Sequence, residues 1–511
     1  MPAPQPHLAA PPDWTGVKRA LILAGGGMRV SWQAGVLRAL AERGLVFTHG
    51  DGTSGGIMNL AALLSGIAPD DLCARWECLE PRQFSSLVPL PEYFRLGGPM
   101  ALGDAEGIVG EVFPHLGIEV ERIRASRGIA GCFNVCNFSR KTIEPVPNEN
   151  VRLEHLVAGM SLAIFMPPVD IDGTTYTDAV WIKDANLIDA VRRGAEELWL
   201  VWCIGNTPEY KRGTFHQYVH MIEMSANGGL SEEFDRIREI NARIRTGEPV
   251  YGHTRPITLH VIRPEFPLPL DPDYYFGKIT ASELVELGYT AARRYLEQMQ
   301  EDGLAFEPEV MIMSSSAGPG VQFDEVMRGR FTLGETDPRR GEGANTELAL
   351  NATVTVHDLD RFIADPEHTG SLTGTVDFTP WGKGIRGAVG IFNLFSSAAD
   401  PRMKLMVYEM PFEYQGERYY LAGRKEVRDD PGLDLWTDTT TLLTQLHQGT
   451  DKTGPVVGAG TLRLGAGEFA KVLAGLHVID SDDPAQKVAT LAKFGRFFAG
   501  ELWDTYVRAG G

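Results

Sequence analysis

The stretch Gly52-Thr53-Ser54-Gly55-Gly56 sits between a strand-like run, "LVFT", and a helix-like run, "IMNLAALLS". It fits G-x-S-x-G, in which glycines permit the sharp strand-to-helix turn that lifts a serine hydroxyl clear of a sheet edge. Gly52 and Gly56 make the turn tight enough, and the N–H of Gly55 is aimed at the same space as the Ser54 hydroxyl. A chain built round such an elbow must place a strand before it and a helix after it, so a layered α/β sheet is expected.

Upstream, "LILAGGGMRVSWQAGVLRALAERG" sets Gly25, Gly26 and Gly27 between an apolar strand and a helix. A dinucleotide fingerprint needs Gly or Ala where Val30 stands, and a phosphate-binding loop needs a Gly-Lys-Ser/Thr that is absent. What remains is a run of bare amides followed by a helix whose first N–H groups lack intrahelical partners, which is a place for an anion.

A serine hydroxyl needs a base to take its proton. "PPVDIDGTTYTDAVWIKDAN" reads as two short strands around an Asp172-Gly173 turn, with Asp178 at the end of the second. Residue type alone does not choose among Asp178, Asp172, Asp184 and Asp189. A Ser-His-Asp triad recruiting His220 or His253 is the alternative base. His216 and His220 have the spacing of a metal pair, but "HQYVH" lacks the glutamate of H-E-x-x-H and has no third ligand nearby, so no metal is expected.

Taken in order and spacing, "LAGGGMR", "GVLRALAERG", "GTSGG", "SLAIFMPPVDIDG" and "YTDAV" resemble the patatin-like phospholipases over roughly residues 17–299. The resemblance implies a three-layer α/β/α sandwich, acyl-ester hydrolysis and no cofactor. It makes Ser54 the nucleophile, Asp178 its base in a dyad without histidine, and Gly25, Gly26, Gly27 and Arg29 the oxyanion loop. The chain departs from the family where Ala179 replaces the glycine after the aspartate and "DANL" replaces Asn-x-Pro.

At 511 residues the chain is too long for one core. The expected division is a flexible tail (1–15), a hydrolase domain (16–313), a linker "SSSAGPG" (314–320) and a β-rich antiparallel α+β domain (321–511). In the last, Leu348, Leu350, Ala352, Val354 and Val356 alternate with polar residues, and "MKLMVYEMPFEYQGERYYLAGRKEV" predicts a hairpin turning at Gln415-Gly416. Asp438 or a threonine is read as the N-cap of a Leu-rich helix in "TTTLLTQLHQG". The stripe Val488, Leu491, Phe494, Phe498, Leu502 and Tyr506 predicts a helix packed on its own sheet. Leu90, Tyr93, Phe94, Leu96, Met100 and Leu102 are read as either the rim of an acyl pocket or a cap helix.

A net charge of -19 argues against gripping nucleic-acid phosphates. The five cysteines fit neither a zinc site nor a secreted disulfide framework, and "MPAPQPHLAAPPDW" lacks the features of a secretory signal. The expected location is cytoplasmic, with peripheral membrane contact as an allowed mode and a lipid or acyl ester as substrate. The last domain is similar to a C-terminal extension of some bacterial cholesterol-oxidase-like glucose-methanol-choline oxidoreductases, which implies a lipid-holding or stabilising module. A non-catalytic lipid carrier on a hydrolase scaffold is the competing function.

Overall fold

The computed structural model describes residues 8–11, 13–84, 104–271, 274, 279–314, 318–341, 346–387, 390–398, 403–428, 439–449, 451–481 and 483–506. The chain divides into two compact units, Met1–Ser316 and Ala317–Gly511. No helix among the described residues is long and apolar enough to cross a membrane.

The first unit is built on β1 (Arg19–Leu23), β2 (His49–Gly52), β3 (Ala130–Asn137), β4 (Thr142–Pro147), β5 (Val169–Ile171), β6 (Thr174–Asp178), β7 (Glu197–Val201) and β8 (Thr258–Ile262). The sheet order is β5-β6-β3-β2-β1-β7-β8, with β4 also on β3. From β3 to β8 the strands are parallel, while β4 and β6 run antiparallel to β3. Strand alternation sorts the core into two layers. Leu21 and Leu23 point to one face, packed with α1 (Ser31–Glu42), α2 (Gly56–Leu64) and the helix Ala281–Gln298. Ala20 and Ile22 point to the other, under the helices Leu187–Arg192 and Thr214–Arg245. This is the expected three-layer α/β/α arrangement. The helix Ala281–Gln298 lies very close to α1: a Cβ on Gly35 would stand 1.7 Å from the Val285 carbonyl oxygen, so only glycine fits.

The N-terminal segment corrects one expectation. Residues 8–11 do not float free: Leu8 and Ala10 are buried, Ala10 N–H donates to the Phe47 carbonyl, and Phe47 N–H donates to the Leu8 carbonyl. Burying apolar Leu8 is favourable, and the two hydrogen bonds with Phe47 satisfy backbone groups that go into the interior with it.

In the second unit β9 (Gly320–Leu333), β10 (Glu347–Val356), β11 (Thr369–Phe378), β12 (Gly382–Arg386), β13 (Gly390–Ser397), β14 (Met403–Tyr414), β15 (Glu417–Arg428), β16 (Thr441–Gln448), β17 (Val456–Arg463) and β18 (His477–Ile479) form an antiparallel sheet. Its order β10-β11-β13-β14-β15-β16-β17-β9 closes through β9–β10 pairing into a barrel. Closure leaves the paired strands no free edge. The predicted hairpin is present, with both turn residues left-handed, Gln415 at φ 53° and Gly416 at φ 79°. The predicted helix after Asp438 is not: Thr441–Gln448 is β16, with Leu442, Thr444 and Leu446 facing inward. Pairing to both β15 and β17 overrides the helical reading of the leucines. The helix Pro484–Tyr506 packs on its own barrel through Leu491, Phe494 and Phe498, whereas Val488 is exposed.

Candidate active site

Strand pairing sets the centre of the site. Phe133 of β3 pairs with Gly52 of β2 and with Val146 of β4, so β2 and β4 occupy opposite edges of β3. Further along, Cys136 pairs with Thr177 of β6 and Ile143 of β4. Thus β2 and β6 share one edge of β3 and run toward each other, β2 ending opposite Phe133 and β6 ending opposite Val135. The chain just past Gly52 is therefore delivered to the end of β6, where Asp178 stands.

Ser54 occupies the elbow with a left-handed φ of 50°, a conformation costly for a non-glycine residue. Its hydroxyl donates to Asp178 Oδ2 at 2.6 Å. Asp178 is fully buried, and its Oδ1 accepts the Val180 N–H at 2.9 Å. Burial pushes its carboxyl up to about 7, with the Ser54 and Val180 hydrogen bonds restraining the rise. Ala179, in the place of the family glycine, begins the short 3-10 turn Ala179–Trp181 and is not among the left-handed residues, so alanine carries no backbone strain there.

The glycine loop divides into two roles. Gly25 donates its N–H to Asp184 Oδ2 at 2.9 Å and so is not free to bind a ligand anion. The N–H groups of Gly26, Gly27 and Gly55 find no acceptor among the described residues, and all three glycines line one cavity with Ser54. Gly27 is left-handed at φ 60°. A Cβ on Gly56 would lie 2.2 Å from the Leu23 carbonyl oxygen at the end of β1, and one on Gly55 2.6 Å from the Gly27 carbonyl oxygen, so the elbow is packed backbone to backbone against both strand and loop. The Arg29 guanidinium folds onto its own loop, Nε donating to the Gly26 carbonyl at 3.0 Å. Gly52, at the end of β2, packs on Leu60 of α2.

The other aspartates separate cleanly. Asp172 is exposed and pairs with Arg152, and Asp189 pairs with Arg193. Asp184 is buried beneath the loop. Its Oδ1 has no hydrogen-bond partner among the described residues, and burial together with the nearby Asp178 holds its carboxyl well above the ordinary range. Neither histidine rival touches the dyad. His220 Nδ1 meets Glu223 at 2.9 Å, and buried His253 Nε2 meets the Val191 carbonyl at 2.8 Å.

Two positions, Asn134 and Asp271, escaped the sequence reading, and a third, Asp184, was read there only as one of four candidate bases. Asn134, in the gap between the two strand ends, donates to Asp51 Oδ1 and Thr53 Oγ1 and accepts from Asn186, tying elbow to base segment. Asp184 lies within "DANL", the departure already visible in the sequence. Asp271 accepts the Met28 N–H at 3.2 Å and borders the cavity.

Above Ser54 opens a cavity of about 350 Å³. Its walls are mostly apolar: Met58, Met160, Leu162, Phe165, Met166, Tyr218 and Ile222, with the glycine loop and Ser54 among its lining residues. The six apolar residues read as a pocket rim, Leu90 to Leu102, lie outside the described residues; the flanking Phe84 and Asp104 line the cavity.

This fold and elbow define a patatin-like α/β domain: residues 21–191 match the family described as patatin-like phospholipase, a family of lipid acyl hydrolases. Among solved structures the chain is similar to VipD from Legionella pneumophila, at 12% identity over 57% of this chain and 70% of that one, with a TM-score of 0.31. No curated protein matches the sequence.

Proposed function

We propose that the protein hydrolyses acyl esters of lipids through a Ser54–Asp178 dyad. The observation that carries this reading is the 2.6 Å contact between the two side chains at a cavity walled by methionine, leucine and aromatic side chains. An acyl chain fits such a cavity, and its carbonyl is brought to Ser54. Ionised Asp178 takes the hydroxyl proton as Ser54 Oγ bonds to the carbonyl carbon, and the oxygen that gains charge is met by the amides of Gly26, Gly27 and Gly55. The same proton passes from Asp178 to the departing alcohol, leaving an acyl-serine. Asp178 then takes a proton from a water whose oxygen bonds to the acyl carbon, and returns that proton to Ser54 Oγ as the acyl–serine bond breaks and the fatty acid leaves. Arg29 supports this by bracing the loop through Gly26.

An activated hydroxyl reacts with a fluorophosphonate probe, and an ordinary one does not. Labelling confined to Ser54, together with turnover of a soluble nitrophenyl ester lost in Ser54→Ala, is the expected result. An unlabelled Ser54, or turnover undiminished in the variant, overturns the dyad.

A further inference from the structure

Large apolar side chains stand exposed where the cavity meets solvent. Phe165, from the loop after the helix Leu153–Gly159, and Phe215, from the first turn of the helix Thr214–Arg245, both line the cavity and are both exposed. Next to Phe165 stands Ile164, 56% exposed. The loop and helix form one surface, because Tyr218 donates its hydroxyl to the Ala163 carbonyl at 2.6 Å and its ring meets Phe165 edge-on at 5.5 Å.

The helix itself is unusual. Phe215, Tyr218, Val219 and Ile222 recur at helical spacing and face the cavity. Met221 and Met224 lie off that stripe, and Met224 is 64% exposed. A helix apolar on the cavity side that also presents large apolar groups to the outside belongs against an apolar phase.

Ile164 gives the patch its direction. It is β-branched, exposed and left-handed at φ 78°, a combination that backbone sterics disfavour strongly. Glycine would remove both the backbone strain and the exposed apolar surface.

Charge completes the picture. Lys211 and Arg212, exposed in the loop leading into the helix, form no ion pair with a carboxylate among the described residues, although the whole chain carries -19. That loop folds on the helix, the Lys211 N–H donating to His220 Nε2 and the Tyr210 ring stacking on His220 at 4.8 Å. Of the acids nearby, Glu223 is engaged by His220, Asp271 accepts the Met28 N–H and Asp104 the Glu106 N–H, while Glu209 is exposed. Apolar anchors flanked by an aromatic and two cations suit the boundary between acyl chains and headgroup phosphates.

We propose that Ile164, Phe165, Phe215, Met221 and Met224, flanked by Lys211 and Arg212, form a docking surface that seats the cavity mouth on a phospholipid bilayer. This rests on the lipid-ester reading of the site and names the physical form in which substrate is met. Substrate then enters the cavity directly from the bilayer, without a passage through water.

The test uses the full chain carrying Ser54→Ala, so that vesicles are not consumed, sedimented with vesicles of phosphatidylcholine alone or mixed equally with phosphatidylglycerol. Binding to both is expected, stronger with phosphatidylglycerol at low salt. Ile164→Gly, and separately the pair Met221→Asp and Met224→Asp, should each weaken binding by roughly tenfold or more. Lys211→Glu with Arg212→Glu should remove the preference for phosphatidylglycerol. Ile164→Gly should bind less without melting at a lower temperature, which separates docking from misfolding. With Ser54 intact, Ile164→Gly should hydrolyse a soluble nitrophenyl ester at the wild-type rate. No binding to either vesicle overturns the proposal, as does binding that Ile164→Gly and the methionine pair leave unchanged. Conversion of a dimer to a monomer by the methionine pair, seen in sedimentation velocity, overturns it by assigning the surface to a second copy of the chain. A wild type inert toward the soluble ester that still binds vesicles through these residues counts against the dyad and not against the docking surface.

Discussion

Gly52 and Asp178 end two strands that meet head to head along one edge of β3, opposite Phe133 and Val135. That meeting brings Ser54 to within 2.6 Å of Asp178 although 124 positions separate them in the chain. The position of the proposed base is thus fixed by backbone pairing, and its proton affinity by burial. A buried carboxyl raised to about 7 is a better proton acceptor than one near 3.8, and it is ionised only above that pH. Hydrolysis of a soluble ester should therefore fall about tenfold per pH unit below ~7, and level off above it, in kcat/KM. Asp178→Asn should lower kcat by at least about three orders of magnitude with little change in KM. A flat profile from about two pH units below that carboxyl to about one above it would remove Asp178 from the role of base.

Asp184 predicts a dependence of stability on pH. Its folded carboxyl lies well above 3.8, so the folded state holds this proton more tightly than the unfolded chain does. The advantage of the protonated acid is complete below the unfolded value and is lost as pH rises from ~4 through the raised value, where a buried anion faces Asp178 and Asp51. Asparagine keeps an acceptor for Gly25 and has no proton to lose. Asp184→Asn should be less sensitive to rising pH than wild type, the stability curves diverging by up to about 1.4 kcal/mol per pH unit in that window. Urea unfolding at a series of pH values measures this, and parallel curves would show that Asp184 titrates normally.

Space at Gly25 decides another substitution. An added Cβ would lie 2.5 Å from Asp184 Oδ1 and 2.8 Å from the Ser54 Cβ, so the loop, the nucleophile or the buried acid must move. Gly25→Ala should cost roughly 1–3 kcal/mol of stability, as overpacking does. It should also lower kcat by about a hundredfold, because the Gly26 and Gly27 amides move with it. Gly110→Ala meets nothing within 4 Å and serves as the neutral control. Activity retained in Gly25→Ala would mean that the loop does not position the reacting ester.

The elbow, the glycine loop and the hairpin at Gln415-Gly416 were legible because each is local: a few glycines between runs of known period decide the backbone there. Choosing Asp178 over its neighbours needed either the family resemblance or the pairing of β6 with β3, a contact between distant segments that no spacing announces. Asn134 was missed for the same reason, and Asp184 was read only as a candidate base, since the part each plays lies in partners from distant segments. In Thr441–Gln448 the leucines at 442, 443 and 446 fit a helix as well as a strand. The two neighbours in the barrel settle it as a strand, with Leu442, Thr444 and Leu446 on one face.

The barrel holds a closed polar triad in an apolar interior. Lys425, with no exposed side-chain surface, donates to Glu325 Oε1 at 2.8 Å and to the Tyr408 hydroxyl at 3.0 Å, and that hydroxyl donates to Glu325 Oε2 at 2.7 Å. Burial and Glu325 hold the phenol well above its ordinary range, so it stays a donor. All three project from facing strands, β9, β14 and β15, among Met327, Met406 and Leu421. Removing only the cation leaves a carboxylate in a dry interior, so Lys425→Met should destabilise the barrel by about 3–5 kcal/mol. Replacing all three together, Lys425→Met, Glu325→Leu and Tyr408→Phe, removes the unpaired charge as well, and should restore most of that loss or exceed it. Hydrogen exchange of the β9, β14 and β15 amides in the full chain reads the opening free energy where the triad sits. If the single and triple variants lose protection equally, the triad acts through its packing volume and not through paired charge.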